Sequence, residues 1–184
     1  MLRITGDIWE IPDPSAFIVI PVNLEGVCGR GLARQMVDRW PGIGTFLRAE
    51  GKSGCLAKTY QKSDILQFFA PDDRHRLVVF PVKSSWRDQA SMDLIKSSCD
   101  KLNRLLESVQ SPYSCRLPLV GCGFGELTEQ DVLPVLESVL TSPRCVLVTP
   151  DPAVFNRYPS SFVPGVRADK TPIRANINEP PTQG

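Results

Sequence analysis

The chain is poor in the residues that much protein chemistry relies on. Its 184 residues contain a single histidine, His75, and six cysteines, Cys28, Cys55, Cys99, Cys115, Cys122 and Cys145, with no C-x-x-C pair among them. One imidazole and scattered thiols do not make a zinc site. No metal is therefore expected, and the cysteines read as reduced, mostly buried thiols. No apolar run approaches the roughly 20 residues that cross a bilayer, so no membrane partner is expected. The opening Met1-Leu-Arg-Ile-Thr-Gly-Asp7 lacks the apolar core of a secretory signal, and a cytoplasmic protein is the expectation. Charge of one sign is missing too: 21 Lys+Arg against 20 Asp+Glu leave a formal net charge of +1. Nothing global attracts DNA or anionic lipid, and any nucleic-acid contact has to be local. The chain has no internal repeat.

What the chain does have is glycine in two informative places. The apolar run Ala16 to Val22 leads directly into Asn23-Leu-Glu-Gly-Val-Cys-Gly-Arg-Gly-Leu-Ala33, and Leu32, Met36 and Val37 then recur at helical spacing. A buried strand, a glycine-rich turn and a helix start in that order suit a phosphate. Backbone N–H groups in a turn with few side chains converge on an anion, and the helix N-terminus adds about half a positive charge. A second glycine-rich turn, Gly121-Cys-Gly-Phe-Gly-Glu-Leu127, also follows an apolar run and precedes a helical pattern. Two such loops can hold two ends of one diphosphate.

Further strands are predicted over Leu2 to Thr5, Ile65 to Phe69, Leu77 to Val82, Cys115 to Val120 and Cys145 to Thr149, beside the one over Ala16 to Val22. Helical patterns cover Gly31 to Trp40, Gly44 to Glu50, Ser91 to Val109 and Thr128 to Leu140. The third is the clearest, with Ile95, Leu102, Leu105, Leu106 and Val109 on one face and Lys96, Asp100, Lys101, Arg104 and Glu107 on the other. Thr128-x-x-Asp131 opens the last helix as a capping-box variant, and Pro134 falls within its first turns. Strands alternating with helices imply an α/β domain whose mostly parallel sheet is covered on both faces, with ligands beyond the C-terminal strand ends. Residues 1–150 form that domain. From Asp151 the pattern stops, which predicts a Pro-rich extension over 151–184, an irregular wrap at Val154 to Val163 and then a flexible end.

The ordered set Gly6-Asp7-Ile8, Pro21-Val22-Asn23-Leu24-x-Gly26-Val27-x-Gly29-x-Gly31-Leu32-Ala33, Phe80-Pro81-x-Lys83-x-x-Trp86-Arg87 and Gly121-Cys122-Gly123-x-Gly125 resembles the macrodomain family. Within it the resemblance is to the branch of the DarG antitoxins and the terminal ADP-ribose protein glycohydrolase, over about Leu2 to Pro150. It implies a three-layer α/β/α fold with a mixed, mostly parallel central sheet, ADP-ribose as ligand without any cofactor, and removal of ADP-ribose from a modified macromolecule.

Position by position, the resemblance puts the Asp7 carboxylate on the adenine amino group with the Ile8 backbone beside it, a fitting use for an acceptor-only group. As a residue on its own, Asp7 equally well caps a turn after Gly6. Asn23 falls at the distal ribose hydroxyls; alone it is an ordinary turn residue. Gly29, Arg30, Gly31, Leu32 and Ala33 map to the loop and helix start that receive pyrophosphate and distal ribose, and Gly121, Cys122, Gly123, Phe124, Gly125 and Glu126 to the second phosphate loop. Arg30 either adds charge there or is simply solvated, and Cys122 reads as a packing residue.

Lys83 is the catalytic candidate. Strand-end lysines ordinarily decorate the surface, but the resembled branch uses a lysine in this Phe-Pro-x-Lys setting to cleave the glycosidic bond at the distal ribose. Two roles are open to it: a neutral amine that attacks the anomeric carbon, or an ammonium that stabilises or protonates the departing group. The protein-directed member of the branch carries an aspartate in the second glycine loop where this chain has Gly125, with Glu126 next to it. That departure favours an ADP-ribosylated DNA base, in single-stranded DNA, over a protein. Trp86 and Arg87 either stack on an extruded base or anchor their loop.

The implied partners are ADP-ribose, a modified single-stranded DNA or protein, and a cognate ADP-ribosyltransferase toxin. Alternatives are a noncatalytic ADP-ribose reader, which has no need of Lys83, a hydrolase of Glu- or Asp-linked protein ADP-ribose, or one acting on ADP-ribose 1″-phosphate or O-acetyl-ADP-ribose. The neutral charge, with Arg30, Arg34, Arg39 and Arg48 interleaved by Asp38 and Glu50, suits the small-molecule alternative. A nicotinamide dinucleotide enzyme is rejected, because Gly26-x-x-Gly29-x-Gly31 is not Gly-x-Gly-x-x-Gly.

Overall fold

A computed structural model describes residues 1–10, 16–62, 65–72, 75–109 and 113–157. The elements in order are β1 (Leu2–Thr5), β2 (Phe17–Asn23), α1 (Gly31–Arg39), α2 (Pro41–Lys52), α3 (Cys55–Lys62), β3 (Gln67–Phe69), β4 (Arg76–Lys83), α4 (Met92–Ser108), β5 (Cys115–Leu117), α5 (Glu129–Val139), β6 (Cys145–Thr149) and α6 (Pro152–Arg157), with one 3-10 turn at Gly123–Gly125. They build a six-stranded sheet in the order β1-β6-β5-β2-β4-β3. Every pairing is parallel except that of β3 with β4.

Strand β2 shows why its sequence is apolar without alternation. Phe17 and Val19 point into one core with Val78, Phe80, Cys115, Leu117 and Leu147, where Ile95, Leu102 and Leu106 of α4 and Val132 and Leu136 of α5 close the layer. Ile18, Ile20 and Val22 point into the other, beneath Ala33 and Met36 of α1, Ile43 and Leu47 of α2 and Leu56 of α3. Successive side chains on a central parallel strand both need burial, so both positions are apolar. The result is three layers, α/β/α.

Several boundaries differ from the sequence reading. Strand β5 stops at Leu117 rather than Val120, because Pro118 has no N–H to continue a ladder. Helix α2 starts at Pro41 rather than Gly44, proline being well suited to a first helical position. Helix α3 is an addition; it buries only Leu56 and Tyr60, too sparse a pattern to show periodicity. The segment expected to be an irregular wrap from Val154 begins instead as α6. Asp151 accepts a hydrogen bond from Ala153 N–H (2.9 Å) and so caps a helix with Pro152 at its start. Val154 joins the α4 core. The rest of that wrap and the expected flexible end lie outside the described residues. No helix among the described residues is long and apolar enough to cross a membrane.

Candidate functional site

Because β1, β6, β5, β2 and β4 run in the same direction, the chain segments that follow β1, β2, β4 and β5 all leave at one edge of the sheet. The two glycine-rich turns follow the adjacent strands β2 and β5. Beside them, Asn23 and Lys83 are cross-strand partners, with a register shift after Val22. Asp7 and Ile8 lie past the end of β1, four strand spacings from β4, or about 19 Å. Along this edge, the candidate ligand trough, the glycine turns lie in the middle.

The first turn is held by its own asparagine. Asn23 is buried; its Nδ2 donates to Val27 O (2.7 Å) and its Oδ1 accepts from Val27 N–H (3.1 Å). This uses one amide N–H and one oxygen lone pair, and leaves one of each. Gly26 lies against α2 so closely that a Cβ there meets Leu47 O at 1.9 Å. Helix α1 then starts at Gly31 (φ 58°), and Arg30 at the N-cap makes no side-chain cap. The first N–H groups of α1 therefore face the trough with no side-chain acceptor. Gly29, Arg30 and Gly31 are exposed, whereas Ala33 is buried in the core and Leu32 is half-buried against it. For those two, only the backbone is available to an anion.

The second turn is built on left-handed backbone at Gly121 (φ 77°), Gly123 (φ 59°) and Glu126 (φ 63°). Glu126 is the one non-glycine residue with positive φ among the described residues, a strained conformation of the kind that gathers at ligand sites. Ala90 N–H donates to Gly125 O (2.8 Å), and a Cβ on Gly125 comes within 3.0 Å of Ala90. A side chain at position 125 thus requires Ala90 to give way by a few tenths of an ångström. Cys122 is half-buried with its thiol pushed up to about 11, first by burial and then by Glu129 and Asp131. Its side chain packs against the core beneath α4.

Lys83 lies between the two turns. Its Nζ donates to Phe124 O and to Asp88 O, each at 3.0 Å. The third N–H has no partner among the described residues. The Phe124 ring is 59% exposed and leans from the second turn toward the first, 3.5 Å from the position of a Cβ on Gly31, with the Arg30 guanidinium 5.2 Å from its centroid. Trp86, 48% exposed, carries Arg87 at 4.4 Å from its ring. The two exposed rings flanking Lys83 are thus each capped by a guanidinium, within the range of a cation–π contact.

Asp7 does cap its turn: Oδ1 accepts from Trp9 N–H (3.0 Å). The carboxylate is exposed, and its other oxygen has no partner among the described residues. Ile8 is buried, and its carbonyl accepts from Arg116 Nη1 at 3.5 Å. The residues singled out from the sequence therefore share one edge of the sheet. Two further ones went unnoticed. Glu25 accepts from Ser85 Oγ–H and Trp86 N–H, and Asp88 supplies both the carbonyl on Lys83 and a carboxylate on Ser85 N–H. Glu25 and Ser85 are 60 positions apart in the chain, so no spacing pattern links them. Among the described residues, no cluster of histidine, cysteine and carboxylate side chains could hold a metal ion.

No protein-family profile matches the chain. The fold is that of a macrodomain: the macrodomain of Mycobacterium tuberculosis DarG superposes with a TM-score of 0.64 at 22% identity, over 82% of this chain and 97% of that one. The macrodomain of Thermus aquaticus DarG gives 0.63 at 22%, over the same shares. Thermosipho africanus DarTG in complex with ADP-ribose gives 0.64 at 21%, over 83% of this chain and 43% of that one. In sequence the chain is similar to the DNA ADP-ribosyl glycohydrolases of Mycobacterium bovis and Mycobacterium tuberculosis, 29% identical over 115 residues. That match spans 62% of this chain and 32% of each relative, so the chain corresponds to about a third of those proteins.

Proposed function

We propose that this protein binds ADP-ribose along the trough and hydrolyses the bond joining it to a base in single-stranded DNA. The observation that carries the reading is the Lys83 amine, fixed between the two phosphate-type turns and beside Asn23. Adenine at Asp7 and Ile8, diphosphate between the turns and distal ribose at Asn23 leave the anomeric carbon nearest that amine. The similarity to relatives named DNA ADP-ribosyl glycohydrolases and the likeness to a DarTG solved with ADP-ribose support the same ligand and bond.

Water is the co-substrate. Its hydroxyl ends on the anomeric carbon, the glycosidic bond breaks, and its proton balances the charge on the departing base. Lys83 serves either by attacking the anomeric carbon first, giving an adduct that water resolves, or by donating a proton to the leaving base. Borohydride trapping followed by mass spectrometry separates the two: an adduct on Lys83 establishes attack, and its absence during turnover supports proton donation.

Trp86 and Phe124 offer faces for an extruded base, and sequence-tolerant stacking of this kind is typical of single-strand binders. The tight fit at Gly125, where a Cβ comes to 3.0 Å from Ala90, disfavours an aspartate there and supports DNA over protein as the substrate, whereas a carboxylate supplied by the neighbouring Glu126 would favour protein. The partner expected in the cell is an ADP-ribosyltransferase that writes the mark, which gives this chain an antitoxin's role in the cytoplasm. One observation favours a reader instead: two main-chain ties on Lys83 are also what a purely structural lysine would show.

Lys83→Ala tests both readings. Incubated with ADP-ribosylated single-stranded DNA and, separately, with ADP-ribosylated acidic peptides, the wild type releases ADP-ribose from the DNA. The variant releases none and keeps ADP-ribose affinity within about tenfold, or 1.4 kcal/mol. Undiminished release by Lys83→Ala rejects the lysine, and no release by the wild type supports the reader.

A further inference from the structure

The loop after Lys83 carries both the exposed Trp86 ring and a carbonyl that holds the amine, yet it contains no regular structure of its own. Its local bonds close it into one small unit. Ser85 N–H donates to Asp88 Oδ2 (2.9 Å), Asp88 N–H to Ser85 O (3.1 Å) and Arg87 N–H to Ser85 Oγ (3.3 Å). Besides Asp88 O on the Lys83 amine, what docks that unit on the first glycine turn is a single carboxylate oxygen. Glu25 Oε2 accepts the Ser85 hydroxyl at 3.0 Å and the Trp86 N–H at 3.2 Å. Hydrogen bonds to an ionised acceptor are about twice as strong as neutral ones.

Glu25 is itself on firm ground. A Cβ on Gly51 falls 1.9 Å from Glu25 O, and one on Gly26 falls 1.9 Å from Leu47 O. The backbone at 25–26 is therefore seated directly on the backbone of α2. The next residue back, Leu24, donates its N–H to Lys83 O (3.1 Å). Glu25 thus grips the loop from the first glycine turn, and the loop returns Asp88 O to the amine at 3.0 Å.

We propose that Glu25 is a positioning residue for the candidate site: its carboxylate sets the 84–88 loop, and through it the Lys83 amine and the Trp86 stacking face. The proposal rests on the reading of Lys83 as the catalytic amine. The structure shows no contact between the carboxylate and the amine, so Glu25 acts through the loop. A glutamine keeps an oxygen that can accept both bonds, whereas an alanine keeps none, and this separates positioning from acid–base chemistry at Glu25.

Three variants of the full chain test it, Glu25→Ala, Glu25→Gln and Ser85→Ala, with kcat, KM and ADP-ribose affinity measured on the ADP-ribosylated single-stranded DNA. Glu25→Ala lowers kcat about tenfold or more and leaves free ADP-ribose affinity within about threefold, while Glu25→Gln retains kcat within about threefold. Ser85→Ala removes one of the two bonds and falls between them, which keeps the test alive if Glu25→Ala does not fold. A kcat lost equally in Glu25→Gln and Glu25→Ala overturns positioning in favour of proton transfer, and wild-type kcat in Glu25→Ala overturns it outright.

Amide hydrogen exchange supplies a readout independent of turnover. Trp86 is exposed and lies in no helix or strand, so protection of its N–H reports the Glu25 bond; it is kept in Glu25→Gln and lost in Glu25→Ala. A wild type that hydrolyses nothing yet protects that amide refutes Lys83 as catalyst and with it catalytic positioning, leaving Glu25 as a loop anchor only. A wild type that hydrolyses while Trp86 exchanges freely refutes the Glu25 contact alone.

Discussion

The cysteines show how far environment can silence a reactive residue. Cys122 sits inside the second glycine turn, where a nucleophile would be well placed, but burial first and then Glu129 and Asp131 push its thiol up to about 11. Near pH 8 about one molecule in a thousand carries the thiolate there. Of the six thiols, only Cys55 is exposed. Mass spectrometry of the native protein after brief iodoacetamide treatment is therefore expected to find Cys55 alkylated and Cys122 untouched. Rapid labelling of Cys122 would reopen it as a nucleophile. At this scale the sequence was a good guide to the two glycine-rich turns, in which Gly31, Gly121 and Gly123 take positive φ, but not to Glu126, which takes it without being glycine. It was a poor guide to Glu25 and Asp88, whose importance comes from partners brought near by folding and from no local pattern.

At the level of elements, legibility followed the amount of buried apolar surface. Strands β2 and β4 bury continuous apolar runs and helix α4 a stripe with a clear period, and the sequence places each to within two residues. Helix α3, with two buried side chains, and α6, with one, left no such trace. The Asp151-Pro152 start of α6 was a usable signal in the form of a capping residue followed by proline. The contact of α2 with the first glycine turn was likewise invisible, since it joins two stretches of backbone and depends on Gly26 and Gly51 having no side chain. Gly51→Ala forces a Cβ to within 1.9 Å of Glu25 O. That overpacking is expected to cost about 2 kcal/mol or more and to lower Tm by about 5 °C, with a parallel loss of ADP-ribose affinity as the first turn is pushed out of place. An unchanged Tm would show that α2 can shift away freely.

For the molecule as a whole, the buried thiols predict how stability responds to alkali. Burial raises Cys28 and carries Cys99 to about 12, where Cys145 and Asp100 add to it. Cys115 is raised by its hydrogen bond with Cys145 and by burial, while Cys145 is lowered by the same bond. The raised thiols outnumber the lowered one. Each keeps its proton in the fold at pH values where the unfolded chain, with thiols near 9.0, has released it. Fewer protons on the unfolded state mean that stability is full below pH 9 and declines as pH rises toward 11 and 12. A melting series from about pH 8 to about pH 11 is expected to show a falling Tm, with a smaller fall in Cys99→Ala. A flat series would mean that the thiols ionise as easily inside the protein as outside.

Phe124 joins two functions in one amino acid. Its carbonyl holds the Lys83 amine, and its ring reaches across to Gly31 at the opposite bank of the trough. Tether and ring thus hang from the same α-carbon, so a shift of that residue's backbone moves both the oxygen that the Lys83 amine donates to and the ring that faces Gly31.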